Sequence, residues 1–308
     1  MKEVLVTGGG GFIGKKVAQE LLNRGIQVRL FDLVKSNIKG VNCDYVGSIL
    51  DPYKLSHVMK GCSHVIHLAA ALGVNRTETN RLECLLINIQ GTINVLETCV
   101  KERVEKIIFA SSSEVYGEQP VQPIIEEALL NPKSNYAASK IVGEEFMKAY
   151  LETYKMKYNI VRFFNVYGED QRDEFVVPRF VKNIVNDKHP DIYGEGDQIR
   201  GFCYVEDAAR GIVDVLSSPV ESEIFNIGND SEPISMKDLA SKIIKISNKN
   251  LKPQFVSYND SDRGSHRDIM QRIPSIEKAK KELGYRPKVS LEEGIKKMIG
   301  FYEAKNNC

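Results

Sequence analysis

The sequence predicts an α/β fold, a doubly wound parallel sheet carrying a smaller mixed α/β part toward the C-terminus. Three features predict it. Short β-branched runs alternate with longer helical patterns over the first two thirds of the chain, as strand-helix-strand units require. A glycine-rich turn directly follows the first run and opens into a helix. Beyond residue 164 the alternation gives way to a stretch rich in Gly, Asp and Pro that runs to residue 200 or so, where a second unit begins.

Strands are expected over residues 4–7, 27–31, 64–68, 106–111 and 158–164. Between the first two, residues 15–24 put Val17, Ala18, Leu21 and Leu22 on one helical face, and Gly25 is placed to end that helix in a left-handed conformation. Residues 207–217 again read as a helix and 224–227 as a strand, so the chain returns to the first sheet. Ser235 and Ser290 each precede an acidic residue three positions on, Asp238 and Glu293, the spacing of a helix N-cap with its capping-box partner. The expected division is a first domain over 1–167 with return of 202–230, and a second over 168–201 and 231–308. The chain has no internal repeat and no low-complexity segment.

Composition excludes several partners. With 42 basic and 41 acidic residues the net charge is +1, too weak a field to draw nucleic acid or an anionic membrane. An anion site must therefore be local. Cys43, Cys62, Cys84, Cys99, Cys203 and Cys308 are scattered without the short pairings of zinc sites or redox dithiols, and read as reduced thiols. His67 and the other four histidines show no metal-ligand spacing, so no metal is expected. No basic segment leads an apolar one at the start, and no apolar run approaches about 18 residues. A cytoplasmic protein is expected.

The glycine turn reads Thr7-Gly8-Gly9-Gly10-Gly11-Phe12-Ile13-Gly14. Glycines there let the backbone turn tightly and approach a pyrophosphate, whose charge the open N–H groups of a helix start stabilise, and Gly14 allows close helix-sheet packing. The alternative is a surface turn. Asp32 ends the second strand near the roughly 20-residue offset at which an acid accepts hydrogen bonds from the adenosine ribose. An acid there repels a ribose phosphate, which favours NAD over NADP, although Arg29 and Lys35 lie close in sequence.

Tyr136-Ala137-Ala138-Ser139-Lys140 is the one Tyr-x-x-x-Lys of the chain and opens a helix after Pro132. Spaced by four, both side chains share one helical face. A phenol with a pKa near 10 is a poor base at neutral pH, and Lys140 is the neighbouring cation that would favour its phenolate. An exposed Tyr/Lys pair is the plain alternative. Residues 109–117, FASSSEVYG, lie where a parallel strand becomes a loop, the sheet edge at which open α/β folds place ligands. A serine-rich cap or turn is the alternative there.

With these motifs the chain resembles the extended short-chain dehydrogenases, the epimerase/dehydratase group acting on nucleotide sugars. The resemblance runs nearly end to end. It is carried by TGGGGFIG (7–14), Asp32, HVIHLAA (64–70), NIQGTINVLE (88–97), ASSSEVYG (110–117), YAASK (136–140), RFFNVYG (162–168) and QIRGFCYVED (198–207). It implies a Rossmann-type dinucleotide domain and a nucleotide-sugar domain. By this resemblance NAD contacts Gly8, Gly11, Phe12, Ile13, Gly14, Asp32, Ser48, Ile49, Leu68, Ala69 and Ala70, together with Tyr136 and Lys140. Ser112 matches the catalytic Ser/Thr that hydrogen-bonds the reacting oxygen, Tyr136 the acid/base, and Lys140 the residue that lowers the tyrosine pKa and holds the nicotinamide ribose. The sugar nucleotide falls to Ser112, Ser113, Glu114, Asn165, Arg200 and Arg272, with Arg200 at the diphosphate; an ion pair of Arg200 with Glu206 or Asp207 is its alternative. One departure stands out. Where relatives often read Gly-Asp-Ile, this chain has Gly47-Ser48-Ile49, which replaces an adenine-contacting acid by a hydroxyl.

The implied first step is proton removal by Tyr136 from the sugar hydroxyl, usually at carbon 4, as hydride passes to the nicotinamide. A 4-epimerase, which returns the hydride to the other face, is the leading reading. Glu114 keeps others open: as a base beside the new ketone it would suit a 4,6-dehydratase, and some uronate decarboxylases also carry Ser-Glu here. It is otherwise a structural hydrogen-bonding group in its loop. The dehydratases of the TDP-glucose type carry Asp at the position of Ser113, which this chain lacks. Release of the ketone by a net dehydrogenase, or a dinucleotide-sensing regulator without turnover, are further alternatives. The resemblance also implies a homodimer through helices at roughly 82–101 and 135–155, with Leu85, Leu86, Ile89 and Ile93 forming an apolar stripe or else covering the sheet.

Overall fold

The computed structural model describes residues 3–73, 79–257 and 269–306; Cys308 and the fifth histidine, His266, lie outside them. Seven parallel strands form the main sheet: β1 (Val4–Thr7), β2 (Val28–Asp32), β3 (Cys43–Val46), β4 (His64–His67), β5 (Lys106–Ser112), β6 (Lys157–Phe163) and β11 (Glu223–Ile227). Their order is β11-β6-β5-β4-β1-β2-β3. The chain runs outward from β1 to β3 and then restarts on the other side of β1 with β4, so the direction of winding reverses between β1 and β4. A crevice opens beyond the carboxyl ends of the strands at such a reversal.

The strands are apolar almost throughout because both faces are covered. Val4, Leu5, Val6, Ile107, Ile108, Ile160 and Val161 are fully buried, as parallel strands between two helical layers require. One layer holds α1 (Phe12–Asn23) against α6 (Val205–Ser217), with Val17, Leu21, Ala208 and Ile212 in the core between them and the sheet. The opposite layer holds α2 (Pro52–Met59), α3 (Arg81–Glu102) and α4 (Asn135–Tyr154), contributing Leu55, Val95, Leu96 and Met147. A separate apolar cluster joins α5 (Val176–Val185), α7 (Met236–Ser247) and α9 (Leu291–Asn306) through Val177, Phe180, Leu239, Ile243, Ile295 and Met298. Short strands border it: β7 (Val166–Tyr167) beside β10 (Cys203–Tyr204), β8 (Asp191–Tyr193) beside β13 (Gln254–Val256), and β9 (Ile199–Arg200) between β12 (Ile234–Ser235) and β14 (Gln271–Arg272). The chain continues through α8 (Glu277–Leu283), which ends at Gly284 with φ +67°.

Three local differences from expectation have physical causes. Helix α1 starts at Phe12 rather than at 15, drawing Gly14 into its first turn. Strand β3 was not expected; CDYV is half-exposed on an edge and lacks an apolar face. The stretch expected to be loop-rich contains α5, whose Pro178 sits at its third position, where the missing N–H has no intrahelical partner to lose. The serine half of each expected cap forms: Ser235 accepts from Asp238 N and Ser290 from Glu293 N, at 3.1 and 3.2 Å, with Asp238 accepting from the Ser235 hydroxyl, and Gly25 ends α1 with φ +71°.

Candidate active site

Directly after β1 the chain turns back on itself at Gly8, whose φ of +77° only glycine adopts without strain. Gly14 is fixed by space, since a β-carbon there would overlap the carbonyl oxygen of Gly8. The start of α1 carries neither a side-chain cap nor an acid in its first turn, so its N–H groups face the cleft and the helix dipole favours an anion there. Asp32 holds the turn in place: Gly10 N donates to one carboxylate oxygen at 3.0 Å and Leu33 N to the other at 2.6 Å. Arg29 is directed elsewhere, donating to Glu3 and to Val58 O at 2.5 and 2.6 Å. It offers no countercharge for a ribose phosphate beside Asp32. A narrow glycine cradle, a bare helix start and an acid at the end of β2 together fit a dinucleotide with free ribose hydroxyls.

The second group gathers at the end of β5. Ser112 Oγ accepts from Glu114 N at 3.2 Å, which bends the chain into a tight turn over Ser113–Tyr116. Ser134 caps α4, accepting from Ala137 N, and donates to Glu114 Oε2; both bonds are 3.0 Å. The serine turn and the helix that bears Tyr136 and Lys140 are thereby joined through Glu114. Burial pushes the Tyr136 phenol above its ordinary value, and the charge of Glu114 adds to this. That direction is opposite to the one expected of Lys140, for a geometric reason: Lys140 Nζ donates to Ala110 O at 2.8 Å and lies 5.6 Å from the Tyr136 ring centroid, alongside the Phe109 ring at 4.9 Å. Burial brings the Lys140 ammonium down to about 8, against the opposing charge of Glu144.

A buried polar chain beneath the cleft was not singled out in the sequence. Thr7 is bonded to His67 Nδ1 at 2.7 Å, His67 Nε2 to Thr92 Oγ1 at 3.2 Å, and Thr92 donates to Asn88 O at 2.6 Å. Since the one Thr92 proton goes to Asn88 O, Nε2 is the donor and Nδ1 accepts from Thr7, which assigns a neutral tautomer. The Asn88 side chain accepts from Ala71 N at 2.7 Å and donates to Ala71 O at 3.1 Å and to Ser139 Oγ at 3.0 Å. Ser139 in turn donates to the carbonyl of Tyr136 at 2.7 Å. The chain thus ties the end of β1 and the 69–71 loop to the helix of Tyr136. Burial, helped by the charge of Lys140, holds His67 down to about 3. The unfolded chain takes up a proton at its ordinary value while the folded one does not, so stability is lost as pH falls through 6.5 toward 3, by roughly 5 kcal/mol. Denaturant titrations at stepped pH are expected to show this slope reduced in His67→Gln.

The third group lies across the cleft. Asn165, with φ +37°, donates to Gly201 O at 3.0 Å and accepts from Arg272 Nη2 at 2.8 Å. Arg200 on β9 stands beside Arg272 on β14 in the parallel register. The two acids considered as partners of Arg200 have other engagements: Glu206 meets Lys16 and Lys297, each at 3.5 Å, and Asp207 accepts from the backbone N–H groups of Lys288 and Val289 and from Arg210.

All three groups line a single cleft of about 1090 Å³. Gly8, Gly11, Phe12, Ile13, Gly14, Asp32, Ser48, Ile49, Leu68, Ala69 and Ala70 line one part of it. Ser112, Ser113, Glu114, Tyr136 and Lys140 line the middle, and Asn165, Arg200 and Arg272 the rest. Sequence reasoning missed further lining residues, among them Leu33, Val34, Arg172, Arg179, Tyr193 and Gln198. The guanidinium of Arg179 lies 4.4 Å from the Tyr193 ring centroid. No motif covers Leu33 and Val34, which follow β2, or Arg172, Arg179 and Tyr193, which lie between residues 168 and 197; Gln198 opens the 198–207 motif, which gives it no role of its own.

Comparison with known proteins agrees with this geometry. The profile described as "NAD dependent epimerase/dehydratase family" matches residues 4–228. A putative UDP-glucose 4-epimerase of Methanocaldococcus jannaschii is 34% identical, over 98% of this chain and 99% of its own. A UDP-N-acetyl-alpha-D-glucosaminuronate decarboxylase of Bacillus cytotoxicus is 32% identical, over 99% of each. The crystal structure of a UDP-glucose 4-epimerase from Thermotoga maritima, with UDP-glucose, superposes with a TM-score of 0.92 at 29% identity, covering 99% of both chains. The fold, the glycine cradle with its acid, and the matched profile converge: this chain belongs to the NAD-dependent epimerase/dehydratase family of enzymes.

Proposed function

We propose that the protein is a nucleotide-sugar 4-epimerase. The observation that carries this is the convergence of the glycine cradle, the Ser112/Tyr136/Lys140 group and the Arg200/Arg272 pair on one cleft. The cradle with Asp32 holds NAD. When bound, NAD supplies the hydride acceptor and later the donor. Ser112 hydrogen-bonds the reacting oxygen at carbon 4, Tyr136 takes its proton and afterwards returns one, and Lys140, held 5.6 Å from the Tyr136 ring centroid, supplies a positive charge that offsets only part of the upward push of burial and Glu114 on the phenol. Two guanidinium groups side by side suit a diphosphate, which takes bidentate charged hydrogen bonds, and Asn165 fixes one of them. The proposed division assigns 1–167 with 202–230 to the dinucleotide, and 168–201 with 231–308 to the sugar nucleotide.

Incubation of the NAD-loaded protein with UDP-, GDP-, TDP- and CDP-linked sugars tests the reading: a 4-epimer is the expected product. A second reading rests on Glu114, whose carboxylate lines the same cleft. A 4-keto-6-deoxy sugar would identify a dehydratase and released carbon dioxide a decarboxylase, in keeping with the named activity of the Bacillus cytotoxicus relative. The bond from Ser134 to Glu114 supports its structural role and keeps epimerisation ahead.

We also propose a homodimer and a cytoplasmic location. No helix among the described residues is long and apolar enough to cross a membrane. Leu82 and Leu86 on α3 are 71% and 54% exposed, and Val142 on α4 is 36% exposed. With the half-buried Leu85, Ile89 and Ile93 they make an outward apolar stripe on the two helices, of a kind that marks association. Leu86→Arg is expected to turn a dimer into a monomer in sedimentation at micromolar concentration; a wild-type monomer would refute the dimer.

A further inference from the structure

Glu144 is a carboxylate with no access to solvent, one helical turn beyond Lys140 on α4 and outside the cleft lining. A charge so deeply placed persists only when it is paired and fully hydrogen-bonded. Arg162 on β6 meets it through Nε at 2.9 Å and Nη2 at 2.6 Å, and Ser111 on β5 donates to it at 2.5 Å. The other end of Arg162 donates to Tyr116 Oη and to Glu126 O, both at 2.8 Å, so the clamp is anchored beneath the serine turn. Lys140 reaches the neighbouring residue of the same strand, Ala110. Glu144 and Lys140 therefore hang from adjacent positions at the end of β5. At four residues apart on one helix they are near enough for a strong interaction in a site with little solvent screening.

We propose that Glu144, clamped by Arg162 and Ser111, is a positioning residue that keeps the Lys140 ammonium charged and directed at Ala110 O on the floor of the cleft. This rests on the reading of Tyr136 and Lys140 as the acid/base pair. Other groups face Lys140 from every side. Tyr136 lies on its own helix, Cys84 on α3 and neutral His67 on β4, the Phe109 ring stands over it from β5, and Arg162 on β6 acts through Glu144. Glu144 is the charged carboxylate among those contacts that opposes the cost of burying the ammonium. Without it the ammonium would give up its proton at a lower pH, while cofactor and sugar contacts would stay as they are.

The test is an NMR titration of isotope-labelled lysine ε-carbons in the full-length protein, with the Lys140 signal assigned by its loss in Lys140→Met, alongside kcat and KM across pH. In Glu144→Gln the protonated-to-neutral ratio of Lys140 at a given pH is expected to fall about tenfold, the alkaline limb of kcat moving down with it and KM changing less than about twofold. Glu144→Asp, which keeps the charge, is expected to restore most of the titration. If Glu144→Gln does not fold because it strands Arg162, Glu144→Gln/Arg162→Met takes the same reading. A Lys140 titration superimposable on wild type in the folded variant would overturn the proposal, even with kcat lowered. If Lys140→Met itself leaves catalysis unchanged, the acid/base reading fails instead, and the two failures are thereby told apart.

Discussion

Tyr136→Phe is expected to lower kcat by about a thousandfold, within the range that a positioned proton-transfer group contributes, while KM, bound NAD and thermal stability stay near wild type. The reason is local. Tyr136 lies in the first turn of a helix whose cap, Ser134, and whose following serine, Ser139, are both hydrogen-bonded, so the ring keeps its place without its hydroxyl. What is lost is the atom that holds the proton. Because burial and Glu114 already push this phenol upward, activity is expected to rise with pH until Lys140 loses its charge near its value of about 8. A pH-rate profile on the wild-type enzyme reads that limit, and an alkaline limb absent well beyond it would count against the charge on Lys140.

Gly14→Ala is expected to weaken NAD binding by about tenfold to a hundredfold and to cost about 1–3 kcal/mol in stability, the range for forcing an atom into a filled site. The added carbon meets backbone, Gly8 O and Gly9 Cα, and backbone cannot rotate aside as a side chain can. The turn has to open, and the N–H groups at the start of α1 then miss the pyrophosphate. Calorimetric titration with NAD, paired with a thermal melt, separates the two effects. Gly25→Ala is the contrast: nothing lies within 4 Å of a β-carbon there, so only the strain of its positive φ is expected and NAD binding should be unaffected.

Much of this fold could be read from the sequence because parallel strands buried on both faces leave a plain signal. VLV (4–6) and IIFA (107–110) are apolar without interruption, and each is followed by a helix or by a motif. The edge strand at 43–46 left no such signal, since its side chains are half-exposed. The cleft was legible where chemistry dictates residue type at fixed spacing: glycine where a β-carbon collides, acid at the end of β2, phenol and amine one turn apart. It was not legible where side chains meet only through folding. Asn88 reaches Ala71 and Ser139, 17 and 51 residues away in the chain, and Glu144 meets Ser111 across 33. Nor could spacing reveal that Lys140 would lie against Ala110 O; the pairing of α4 with the end of β5 decides that.

The most direct measurement is a single turnover of the NAD-loaded enzyme on its nucleotide sugar carrying deuterium at carbon 4. The expected result is a transient absorbance of reduced nicotinamide, formed more slowly than with the unlabelled sugar and absent in Tyr136→Phe, with the deuterium back on carbon 4 of the epimerised product. Product formed at an unchanged rate by both substrates and by Tyr136→Phe would mean that neither hydride removal at that carbon nor this phenol takes part in the reaction.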